Sequence, residues 1–139
     1  MPNQVTRRLG HLLLLRENAE TPSDAEWDET LKLLTEDPEE LPLVKVLVVT
    51  DGGGPTTDQR KKLDRALGGA PVRIAVVSES AKVRFIVSSV ALLASHIQSF
   101  RISEISGAFA HLSLSREERR LAERNIREMS ELVGSKTSI

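Results

Sequence analysis

With 139 residues, 40% of them hydrophobic and 28% charged, and a net charge of −1, the chain is sized for one domain with a real core. The near-neutral balance creates no field to draw nucleic acid, and the absence of cysteine excludes disulfides, thiolate zinc sites and thiol catalysis. Aromatic residues make up only 3%, too few and too scattered (Trp27, Phe85, Phe100, Phe109) to build a stacking platform for bases. No apolar run approaches the roughly 20 residues of a membrane helix, and the short stretch after Thr6, Arg7 and Arg8 does not make a secretory signal. A cytoplasmic protein without cofactor, metal or membrane span is the expectation, with an ordered core over about residues 6–134.

In chain order, residues 11–16 read as the first strand. Thr21, Pro22, Ser23 and Asp24 then set up a helix: a capping hydroxyl, a proline in the first turn and acids at the positive end of the dipole. Trp27, Leu31 and Leu34 share its inner face, and Asp37-Pro38 stops it. Residues 43–50 form a valine-rich strand, apolar on both sides except at Lys45, as expected of a strand buried in a parallel sheet under helices. A helix over residues 55–67, with Leu63, Ala66 and Leu67 inward, ends at Gly68-Gly69. Residues 72–77 make a third, β-branched strand.

The next helix, residues 81–95, is unusually apolar. Val83, Ile86, Val87, Val90, Ala91 and Ala94 form a wide stripe, and Phe85, Leu92 and Leu93 carry apolar surface round to other faces. Such a helix needs more cover than a sheet alone. Cover by the C-terminal helices is the favoured reading, and a homodimer interface through Phe85, Leu92 and Leu93 is the alternative. Residues 99–102 suggest a short fourth strand. Ser103 is expected to cap a brief helix carrying Ile105, Phe109 and Leu112, and Ser115-Arg116-Glu117-Glu118 has the spacing of a capping box opening the last helix. There Ala122, Ile126, Met129 and Val133 form the buried stripe, while Glu123 with Arg127 and Arg124 with Glu128 pair outside.

The order β-α-β-α-β-α-β-α-α predicts a single layered α/β domain around a mostly parallel sheet of about four strands. In such sheets the loops at the carboxyl ends of the strands form the usual functional edge. Asp51, Gly52, Gly53, Gly54, Pro55, Thr56 and Thr57 lie there. Glycines before a helix N-terminus make anion binding physically possible. A P-loop, however, requires lysine followed by serine or threonine at the helix start, and the dinucleotide fingerprint requires spaced glycines; neither is present. Asp51 with Glu79 has the chemistry to hold magnesium, although hydrogen bonding of Asp51 to its own turn is the simpler reading.

Thr56 and Thr57 stand where hydroxyls cap a helix, and Thr56 to Gln59 has capping-box spacing. A phosphate on either threonine, the two candidate phosphosites, would add roughly −1.5 to −2 charges beside Arg60, Lys61 and Lys62. Ser78, Ser80, Lys82 and Arg84 form a second strand-end group, suited either to anion contact or to capping, with capping favoured. His11, His96 and His111 fall on separate elements without ligand spacing.

The stretches "VKVLVVTDGGGPTTDQRKKL" and "PVRIAVVSESAKVRFIVSSVALL", with the order of elements around them, resemble the STAS or SpoIIAA-like superfamily, the fold of bacterial anti-sigma-factor antagonists. The resemblance covers most of residues 12–132. It implies a strand-end acid, matched by Asp51, and a phosphorylatable hydroxyl at the next helix start, matched by Thr56 or Thr57. It also implies a sheet that need not be wholly parallel. Two departures stand out: Gly-Pro-Thr-Thr replaces the usual aspartate-serine pair, and only one strand is evident where the family has a hairpin.

The function expected is a non-enzymatic regulatory module that docks a protein partner, such as a regulatory kinase or anti-sigma-like factor, through Asp51–Thr57, Arg60 and Lys61. The alternatives are a small-ligand or anion sensor at the same edge, with Ser78, Ser80, Lys82 and Arg84, and a structural homo-oligomer. An enzyme would need a converging acid, base and electrophile stabiliser, which these separated groups do not supply.

Overall fold

The computed structural model describes residues 1–91 and 96–135. The chain opens with a hairpin, β1 (Gln4–Leu9) and β2 (Leu12–Glu17), joined through Gly10 and His11 and registered from Leu9 opposite Leu12 to Gln4 opposite Glu17. The single strand expected at residues 11–16 is therefore the second arm of a hairpin. β1 hides from an alternation pattern because polar residues face both layers and only Val5 and Leu9 pack on the core. Gln4, Thr6 and Arg8 hydrogen-bond into one helix, and Arg7 bonds into another on the opposite side of the sheet.

The remaining elements are α1 (Asp24–Leu34), a 3-10 turn at Pro38–Leu43, β3 (Lys45–Thr50), α2 (Thr57–Leu67), β4 (Arg73–Val77), α3 (Ala81–Ala91), β5 (Ile97–Phe100), a second 3-10 turn at Ile102–Glu104, α4 (Ile105–His111) and α5 (Arg116–Leu132). The strands form one five-stranded sheet in sequential order. β1 runs antiparallel to β2, and the pairs β2–β3, β3–β4 and β4–β5 are parallel. The architecture is thus α/β and mostly parallel as expected, with five strands in place of about four.

Strand alternation divides the core in two. Leu13, Leu15 and Val46 point into one layer, where Leu31, Leu33 and Leu34 of α1 and Leu63 and Leu67 of α2 cover them. Leu12, Leu14, Leu47, Val49, Ala75 and Val77 point the other way, against Ala108 and Phe109 of α4 and Ala122, Ile126 and Met129 of α5. Successive crossovers of one hand, stepping in one direction across the sheet, carry α3 to the same side as α1 and α2.

Local signals set most helix starts. Ser23 and Glu26 form a capping box at α1, and Ser115 and Glu118 form the one foreseen at α5. At α1 the cap is Ser23, so Pro22 precedes the helix. At α4 the cap position is Glu104 without a side-chain bond, and Ser103 lies in the preceding turn; the chain enters α4 through a 3-10 turn, which leaves Ser103 no helix start to cap. On α5 the stripe Ala122, Ile126, Met129 and Val133 is buried. Glu128 pairs with Arg7 of β1 at 2.8 Å, a tertiary contact where a pair with Arg124 had been expected.

Among the described residues the C-terminal helices do not cover α3. They occupy the opposite side of the sheet, and α3 packs chiefly along β5. Phe85 is 73% exposed and Ile86 40% exposed, and Val87 is the buried member among the described side chains of the helix. Leu92, Leu93 and Ala94 lie outside the described residues.

Candidate functional site

The strand-end edge is built from the last residues of β2 and β3. β2 ends its run of four leucines with Arg16 and Glu17, both buried and facing opposite sides of the sheet. Arg16 is fully buried on the α5 side. Its Nε donates to Ser130 Oγ at 2.8 Å, Nη1 to the carbonyls of Glu17 and Val49 at 2.6 and 3.3 Å, and Nη2 to Asp51 Oδ1 at 3.0 Å and Ser135 Oγ at 2.6 Å. A guanidinium so fully satisfied is tolerated without water. It also corrects the partner expected for Asp51: the carboxylate faces the buried arginine of the neighbouring strand.

The glycine loop is fastened from behind. The Asp51 amide donates to Glu17 O at 3.2 Å, and the Gly53 amide to Asn18 O at 2.9 Å. Thr50 Oγ1 receives the Gly52 amide at 3.1 Å and donates to Gly53 O at 2.7 Å. Gly52 sits at φ 138, outside the range an L side chain adopts easily. Gly53 is required for a different reason. A Cβ there would lie 2.6 Å from Asn18 O and closer still to Glu20 O, so the two loops meet backbone to backbone. With the amides of 51, 52 and 53 turned inward, the loop lacks the outward row of N–H groups that a phosphate cradle presents.

α2 continues this construction. Thr56 Oγ1 accepts from the Gln59 amide at 3.1 Å, and Gln59 Oε1 accepts from the Thr56 amide at 2.9 Å, completing a capping box. Buried Gln59 also ties the helix to α1: its Nε2 donates to Pro22 O at 3.0 Å and Asp24 Oδ1 at 3.1 Å, and its carbonyl accepts from Trp27 Nε1 at 2.8 Å. Lys62 reaches Asp28 at 3.2 Å. Thr56, Thr57, Arg60 and Lys61 are exposed on the outward side, with Arg60 Nη2 donating to Thr57 Oγ1 at 3.3 Å.

The second group sits beside the first but serves local structure. Ser78 is buried; its hydroxyl donates to Thr50 O at 2.8 Å and accepts from the Ser80 amide at 3.1 Å. Ser80 Oγ accepts from the Val83 amide at 3.3 Å and lies against Gly52. Lys82 is exposed and Arg84 half-buried. Glu79 turns away from Asp51 and accepts from the Ile102 amide at 3.0 Å. The two acids are therefore not gathered, and among the described residues no group of three or more ligand-type side chains could hold a metal ion.

His11 contacts Glu40 at 2.8 Å and His111 contacts the His96 carbonyl at 3.2 Å, two separate contacts without a shared target. Two open surface hollows, about 420 Å³ along α5 and about 380 Å³ beside β1 and α1, are lined by none of the strand-end residues. Among the described residues no helix is long and apolar enough to cross a membrane.

Gln59 was foreseen as a capping partner of Thr56, but its tie to α1 was not. The residues that sequence reading missed are Arg16, Glu17 and Asn18. Their signal was present in Arg16-Glu17, two charges closing a run of leucine inside a buried strand. Burial pushes the Glu17 carboxyl up to about 8, only partly countered by the neighbouring Arg16 cation. No protein-family model, curated protein or solved structure matches the chain.

Proposed function

We propose that the chain is a non-enzymatic, cytoplasmic regulatory module of STAS-like type that docks a protein partner, of regulatory-kinase or anti-sigma-like kind, through the outward side of the glycine loop and α2. The observation that carries this reading is the contrast across the loop. Its inward side is joined to the hairpin backbone, while Thr56, Thr57, Arg60 and Lys61 are exposed on the outward side. A surface fixed before encounter loses less conformational entropy on docking. The hairpin Gln4–Glu17 supplies the element that the sequence alone lacked for the family resemblance, and the mixed sheet accords with it.

A phosphate on Thr57 would arrive next to Arg60 and at the positive end of α2, where a dianion is stabilised. Modification would then change the charge of the docking face without opening the fold. The anion-sensor reading has less support, because the amides of 51, 52 and 53 already have acceptors.

A photo-crosslinking side chain placed at Lys61, in the protein expressed in its own cells, tests the proposal. The expected result is a discrete adduct whose protein component, once purified, binds Arg60→Glu/Lys61→Glu at least about tenfold more weakly, a loss of about 1.4 kcal/mol. Equal crosslinking from Glu123 on α5, or unchanged binding by the double variant, would contradict it. Peptide mass mapping of the same preparation reports whether Thr56 or Thr57 carries phosphate.

A further inference from the structure

Of three buried side-chain polar atoms without hydrogen-bond partners among the described residues, two belong to facing residues, Gln4 Oε1 and Glu17 Oε2, and the third is Arg84 Nε. The Asn18 amide donates to Asn3 O at 3.0 Å, which marks positions 3 and 18 as a hydrogen-bonded pair and makes Gln4 and Glu17 the next, non-hydrogen-bonded one. Side chains at such a pair stand about 4.5–5.5 Å apart at Cβ, within reach of each other. Both point under α1, where Gln4 Nε2 is committed to Thr30 Oγ1. The Gln4 atom left without a partner is its acceptor, so a carboxylate at 17 would set a second unpartnered acceptor on the facing residue in a buried site. One proton satisfies both.

We propose that Glu17 is held as the neutral acid, its O–H donating to Gln4 Oε1, and that loss of this proton releases the hairpin from α1 and slackens the glycine loop. The surroundings offer little to stabilise the anion. Arg16, on the same strand, directs its guanidinium to the other side of the sheet. From α1 come buried Trp27 and Thr30. Its acids are otherwise engaged, with Glu26 accepting from the Asn3 and Ser23 amides and Asp24 accepting from Gln59. β3 contributes Thr50, whose hydroxyl serves the glycine turn. The link to the loop is short. Glu17 O accepts the Asp51 amide, and the next residue, Asn18, accepts the Gly53 amide. Water entering to solvate an ionised Glu17 must part the segment that holds both. This latch is independent of what docks on α2.

Carbon-detected NMR of the Glu17 carboxyl between pH 4.5 and 9.5, with amide exchange of Asp51 and Gly53 corrected for hydroxide catalysis, tests it on the unmodified protein. The expected midpoint is about 8, with exchange at both amides rising about tenfold or more as the group ionises. In Glu17→Gln, whose amide N–H₂ can still donate to Gln4, the corrected exchange should stay flat across the range. In Gln4→Met the neutral acid loses its acceptor, so the midpoint should fall by about one unit, whereas burial acting alone would hold or raise it. A carboxyl titrating near 4.5, a Gln4→Met midpoint that does not fall, or loop amides indifferent to ionisation would each overturn the proposal.

Discussion

Two consecutive βα units of this sheet, β3 with α2 and β4 with α3, share an order of elements yet are held very differently. α2 is the more polar helix, and it is fastened by a capping box, by Gln59 to α1 and by the glycine loop to the hairpin backbone. α3 is the more apolar, yet it buries Val87 while leaving Phe85 and Ile86 in solvent. Directional polar bonds at a strand end can thus fix an element more firmly than its own hydrophobicity does. A greasy stripe says that a helix has something to cover, without saying that the chain covers it.

The largest expected effect falls on the fastened side. Arg16→Leu should cost about 3–5 kcal/mol in urea unfolding, because it strands the Asp51 carboxylate and several acceptors around a buried cation site. Gly53→Val should cost about 1–3 kcal/mol through the clash with the Asn18–Glu20 backbone, while Gly54→Ala, with open space around its would-be Cβ, should stay within about 0.5 kcal/mol. Equal costs at the two glycines would mean that the loops do not meet as described.

The pH dependence carries two opposite signs. The Glu17 carboxyl binds its proton more tightly in the fold than unfolded, so stability from this group should fall as pH rises from about 4.5 to 8, by up to about 1.4 kcal/mol per pH unit. In Glu26, burial alone would raise the carboxyl, but hydrogen bonds from the Ser23, Asn3 and Gln4 backbone and from the Ser23 hydroxyl leave it lowered. In Glu118 the Ser115 backbone bond lowers it, against burial and with help from Lys45. Both contribute stability that is present above the ordinary carboxylate range and lost as pH falls through their lowered values. Urea midpoints across pH 3–9 should therefore decline at both ends, and Glu17→Gln should remove the alkaline decline alone.

The smallest effect belongs to α3. Phe85→Ser should change stability by no more than about 0.5 kcal/mol, since the ring is already in water. A cost of about 3–5 kcal/mol would show that the helix is covered after all, either within the chain or by a second copy.

The sheet layers and most helices were legible because their periodicities are strong: the valines of residues 46–49, the stripe of α5 and the Ser115 box each point to one structure. β1 was not, because Arg7 and Arg8 on an edge strand reach neighbouring helices by their tips, and their burial is invisible to an apolar count. The glycine loop was located correctly, but its partners were not. Arg16 and Asn18 lie more than thirty residues before it, and only the parallel register of β2 with β3 brings them alongside.

The central claim is that the glycine loop is a brace behind a docking surface and not itself a ligand cradle. A ¹H–¹⁵N titration of the intact protein with inorganic phosphate tests it most directly, reading the amides of Gly52, Gly53 and Thr56. The account predicts that these resonances stay in place through millimolar phosphate, because each amide already has an acceptor within the fold. A saturable shift at all three would contradict it and make the loop an anion site.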